Sequence, residues 1–124
     1  MAKEILLHSH KDSRGELVAV QKECPFPIQR VFYIFKVPDR DIVRGGHRHH
    51  KTRQLLITIT GSCIVECDNG FERKTFELDG PQKALLVEPE DFHYMKNFSA
   101  DAVLLVLASE PYDKSDYIHE GYSK

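Results

Sequence analysis

A repeating pattern limits what this chain can fold into: short branched and aromatic runs, each closed by turn residues. The runs are EILL (4–7), VAVQ (18–21), RVFYIF (30–35), QLLITIT (54–60), CIVEC (63–67), KTFEL (74–78), KALLVE (83–88) and AVLLVLA (102–108). β-Branched and aromatic side chains suit a pleated, half-buried surface. Asp68-Asn69-Gly70 separates two of the runs, and such residues tolerate the positive φ of a tight hairpin. Gly61-Ser62 and Asp79-Gly80-Pro81 punctuate in the same way. No window of helical length carries a 3.6-residue period; only the tail after Pro111 has room for a short helix. Seven to nine strands at this spacing predict an all-β sandwich or small barrel. Several runs are apolar at consecutive positions, so both their faces are expected to be covered. That fits a two-sheet roll or a strand packed against a partner chain. The polar, tyrosine-rich tail is expected to pack across a dimer or to fray.

The chain has 124 residues, enough for one domain (1–124) and too few for two independent cores. Its net charge of −2 leaves no excess of positive charge to attract nucleic acid or membrane. AVLLVLA is far too short to span a bilayer, and the opening residues carry no leader signature. Cys24, Cys63 and Cys67 are odd in number and lack CxxC spacing, which predicts free, buried thiols in a reducing cytoplasm.

The chemistry concentrates in RGGHRHHKTRQ, Arg44 to Gln54. On an extended segment alternate side chains share a face, so His47 and His49 point together and His50 points away. Such a pair can serve a metal or a substrate. A later histidine, His93, is available in PEDFHYMKN. The carboxylate that would complete a metal set in such a β-roll is missing, because its position is Gln54, a poor and uncharged ligand. Arg44, Arg48, Lys51 and Arg53 would repel a cation and welcome a phosphate if they faced the same cavity. Three readings stand at this point: a solvated basic loop, a metal site, and a metal-free imidazole acid/base site near bound negative charge, which the residues favour.

The order G-H-x-H (His47, His49), Gln54, Gly61 and then PEDFHYMKN resembles a cupin, a double-stranded β-helix of jelly-roll type. DSRGEL, PFPIQRVFYIF, RGGHRHH, QLLITITGS and FSADAVLLVLASEPYDKSDYI, in that order, resemble the sugar 3,4-ketoisomerases. The resemblance implies a cytoplasmic homodimer that moves the keto group of dTDP-4-keto-6-deoxyglucose from C4 to C3 through an enediol(ate), with no metal or cofactor. A pyridoxal-phosphate-dependent aminotransferase would take the product. It implies His49 or His47 as the base at C3, the other orienting it or shuttling a proton. It places Tyr33 near the sugar as oxyanion donor or relay and Arg44 on the diphosphate, assisted by Arg14 or Arg30. Gln54 and His93 line the cavity. The competing expectations are a non-catalytic sugar-binding cupin module and a metal-dependent small cupin enzyme.

Overall fold

The computed structural model describes residues 1–123; the last residue of the expected 1–124 domain lies outside the described residues. Twelve strands form two five-stranded antiparallel sheets and a separate hairpin. The first sheet has the order β1 (Lys3–Leu6), β9 (Lys83–Val87), β6 (Gln54–Thr60), β11 (Val103–Ala108), β4 (Arg30–Phe35). The second runs β12 (Tyr117–Ile118), β5 (Arg44–His49), β10 (Phe92–Lys96), β7 (Cys63–Asp68), β8 (Arg73–Leu78). Strands β2 (Ser9–Asp12) and β3 (Gly15–Val18) make the hairpin. This is the cupin roll. No described helix is long and apolar enough to cross a membrane.

The main core lies between the sheets and includes Leu56, Val65, Leu78, Leu85, Phe98, Leu104 and Val106. Removing each such side chain from water is worth about 1.5–3 kcal/mol. The consecutive apolar runs have a second cause. Leu55 and Ile57 on β6, Ala84 and Leu86 on β9, and Leu107 on β11 turn outward. There they are covered by Leu7, Cys24 and Phe26 of the chain's own first segment. The covering stops short of the β4 edge, so Val31, Tyr33 and Phe35 remain exposed; Ile59, near the end of β6, is exposed too.

The turns form where glycine and Asx residues mark them. Asn69 accepts from the N–H groups of Phe71 and Glu72 at 2.9 Å each, and Gly70 takes φ 93°. Gly61 joins β6 to β7 at φ 73°; a Cβ there would sit 2.6 Å from the Ala102 Cα, so only glycine fits.

Two expectations are corrected. The strand count exceeds seven to nine because β2, β3, β5 and β10 are polar, glycine-bearing or mixed and β12 is only two residues long. The run VAVQ (18–21), in turn, is extended only at Val18. Through β12 the tail docks on its own chain instead of fraying. A single 3₁₀ turn, Lys114–Asp116, leads into β12, which pairs with β5. Beyond it the Tyr122 hydroxyl donates to the Glu90 carbonyl at 2.6 Å. The three cysteines are free and buried.

Candidate active site

Strand alternation on β5 sends His47 and His49 inward and Arg48 outward. His93 on β10 is the register partner of His47, and Tyr117 on β12 is the register partner of His49. Three neighbouring strands therefore bring four rings together. His47 lies 4.9 Å from His49, 5.0 Å from His93 and 4.7 Å from Tyr117, centroid to centroid. His49 lies 4.8 Å from Tyr117 and 6.2 Å from His93. Gly45, at φ 86°, permits this approach: a Cβ there would meet the His93 carbonyl oxygen at 3.1 Å.

The rings open onto a cavity of about 220 Å³ whose polar wall is His47, His93, Gln54, Arg30, Arg44 and Tyr117. Phe32, Ile34 and Leu56 form its apolar floor. Another cavity, of about 200 Å³, lies against β7 and β8 between Glu66, Arg73, Tyr94 and Tyr122. It contains no imidazole, whereas His47 and His93 both line the first. The Nδ1–H of His93 donates to the Asp91 carbonyl at 3.1 Å, since a carbonyl can only accept. That leaves Nε2 of His93 as the unprotonated nitrogen. His49 is buried, and its Nε2 has no partner among the described residues.

Burial is the main reason that the imidazoles stay neutral. It drives His47 down to about 3, helped by the neighbouring His93, His49 and His119. It drives His49 to about 4, with His93 adding and Asp116 opposing. Fully enclosed His93 moves the same way. All three are therefore uncharged near neutrality, the form that accepts a proton.

The predicted residues divide. His47, His93, Gln54, Arg30 and Arg44 line the cavity, and His49 packs behind His47. Tyr33 does not reach them: β4 alternates, Arg30, Phe32 and Ile34 face in, and Tyr33 faces out, 62% exposed. Arg14 sits on the β2–β3 turn, its guanidinium 2.6 Å from Asp12, away from the cavity. The basic ring expected around the histidines is smaller than the sequence implied. Arg48 turns to the tail, Lys51 lies 3.9 Å from Glu110, and Arg53 pairs with Glu88 at 2.8 Å. His93 proves to be a cavity wall as well as a core residue. No group of three or more His, Cys, Asp or Glu among the described residues is arranged to hold a metal ion. Tyr117 is the wall residue that the sequence reading did not single out. Its signal was parity: in DYIH it alternates with His119, whose ring stands 6.2 Å from His47.

Comparison with known proteins gives the family. Residues 2–123 match the family described as FdtA: WxcM-like, C-terminal. The TDP-4-oxo-6-deoxy-alpha-D-glucose-3,4-oxoisomerase of Aneurinibacillus thermoaerophilus is 45% identical over 111 residues, covering 88% of this chain and 79% of that protein. The 3,4-ketoisomerase QdtA of Thermoanaerobacterium thermosaccharolyticum is a structural match. In a single-residue variant complexed with TDP-4-keto-6-deoxyglucose it superposes with TM-score 0.91 at 39% identity, over 96% of this chain and 87% of that one. The WlaRB TDP-quinovose 3,4-ketoisomerase of Campylobacter jejuni gives TM-score 0.91 at 40% identity, over 96% and 92%.

Proposed function

The chain belongs to the FdtA (WxcM-like, C-terminal) family of isomerases, and from that membership we propose that it acts on dTDP-4-keto-6-deoxyglucose, giving the dTDP-3-keto-6-deoxyhexose through an enediol(ate) by histidine acid/base catalysis. The observation that carries the mechanism is His47: a neutral imidazole on the cavity wall, with Arg44 and Arg30 on the same wall.

The C3 proton of the sugar is acidified by the adjacent carbonyl, because its removal gives a resonance-stabilised enolate. His47 takes that proton; the C3–H electrons form the C3=C4 bond, and the carbonyl pair moves onto O4. The reverse sequence then runs on the other carbon. The O3–H proton passes to O4, C3=O forms, and C4 takes a proton from the imidazolium. Product and substrate are isomers, so no oxidant or reductant enters. Desolvation depresses the basicity of His47 only until negative charge develops beside it, when the same low-polarity surroundings favour the imidazolium. His49, packed behind it, orients the ring or shuttles the proton. Arg44 and Arg30 supply charge-assisted donors to the diphosphate. Gln54 and the His93 wall hold sugar hydroxyls.

The test is incubation with dTDP-4-keto-6-deoxyglucose in deuterated water, followed at C3 and C4 by NMR. Deuterium incorporation and a 3-keto product are expected. In His47→Asn, turnover should fall by about 10²–10⁴-fold, with TDP binding retained. A protein that neither exchanges nor converts this sugar would sink the reading, and full turnover in His47→Asn would move the base to His49.

A further inference from the structure

We propose that Tyr117 is a catalytic residue of this isomerisation: its phenol donates a hydrogen bond to the O4 oxyanion formed when the base removes the C3 proton. The inference rests on the isomerase reading above and adds the donor that the reading lacks.

An enolate needs a preorganised donor aimed at the oxygen where charge appears. The wall offers few. The Arg30 and Arg44 guanidinium groups are the only cations there and suit the diphosphate. The Nδ1–H of His93 is committed to the Asp91 carbonyl. The Tyr117 hydroxyl is different. Its oxygen accepts from Arg30 Nη1 at 3.2 Å, which occupies an acceptor lone pair and leaves its own O–H free to donate. Its ring is 4.7 Å from His47 and 4.8 Å from His49, equally close to either base.

The placement is built. The Tyr117 backbone is held by pairing with His49, so the ring and the histidine move as one ladder. Immediately before it, the Asp116 carboxylate accepts from the N–H of Lys51 at 2.9 Å, the N–H of Thr52 at 3.2 Å, and the Thr52 hydroxyl. The Asp116 carbonyl accepts from the His50 N–H at 3.0 Å. The turn just after the histidines is thereby fastened to the residue just before the phenol. On the outer side, Arg48 donates to the Glu120 carbonyl at 3.0 Å and its guanidinium lies 4.3 Å over the Tyr122 ring. A tyrosine that merely filled space would not need its segment fixed from both ends.

Tyr117→Phe keeps the ring and removes only the donor. In the deuterated-water assay, C3 exchange and turnover should fall together by about 10²–10³-fold, the loss seen when one oxyanion donor is removed. KM for the dTDP-sugar and the thermal midpoint should stay near those of the unsubstituted protein. Unchanged kcat and unchanged C3 exchange would overturn the assignment. So would a kcat loss that appears only alongside a fall in thermal midpoint, since that would make Tyr117 a packing residue. If the unsubstituted protein itself shows no exchange, the isomerase reading fails and this inference goes with it. If it is fully active while Tyr117→Phe matches it, only the inference fails.

Discussion

His47, His49 and His93 share one small volume, and none can take a proton without cost. Their folded-state values lie below the ordinary histidine value of about 6.5, to about 3 for His47 and about 4 for His49, with His93 moved in the same direction. Below pH ~6.5 the unfolded chain binds protons that the folded chain refuses, so stability is fully present above that pH and drains away as pH falls towards the folded values. Asp91 works in the opposite sense, because burial raises it. Between pH 7 and 5 the urea midpoint should therefore drop, and His93→Gln should flatten the slope. A flat midpoint over that interval would contradict the buried-neutral account. Individual residues were unevenly legible in the sequence. The HxH pair could be placed by strand alternation, and Gln54 by its standing where a metal-binding roll would carry a carboxylate. Tyr33 could not, because RVFYIF is apolar or amphipathic throughout and gives no clue to which parity faces in.

Strands β5, β10 and β12 hold the three clustered histidines and Tyr117, and none of them reads in the sequence as a branched run. RGGHRH has two glycines and no branched residue, FHYMK holds a single histidine among mixed neighbours, and β12 is two residues long. Their extended shape comes from pairing with neighbours and from polar fastening, which local propensity does not report. The apolar elements β6, β7, β9 and β11 were visible, since burial on two faces wrote itself into consecutive hydrophobic positions. The fastening can be tested at Asp116. Burial alone would raise its pKa, but hydrogen bonds from Thr52 and Lys51 outweigh that and hold the carboxylate below its usual range. Asp116→Ala leaves those donors unpartnered and should cost about 1–3 kcal/mol in denaturant unfolding. Activity should fall as well, because β12 loses its anchor. A variant with unchanged stability would show that the knot is not what holds the tail.

At the scale of the molecule, one sheet is finished and the other face is not. The first segment covers part of the outer sheet, while Val31, Tyr33 and Phe35 form an exposed apolar row along β4. A second copy of the chain is the occupant that we propose, in keeping with the homodimer expected from the family resemblance. Light scattering should give twice the mass of the 14.3 kDa chain, and Phe35→Glu should return monomers. A single-chain mass for the unsubstituted protein would refute it. The roll itself was readable from run spacing and turn chemistry. The partition of its outer face was not, because covered and uncovered positions use the same residue types. The position of β12 in chain order has a separate consequence. It follows every other strand, yet it supplies the wall beside both histidines. The other strands can pair, with their imidazoles in place, before that wall docks. Activity would then arrive in a single late step, and catalysis would report that the tail has docked and not merely that the barrel has folded.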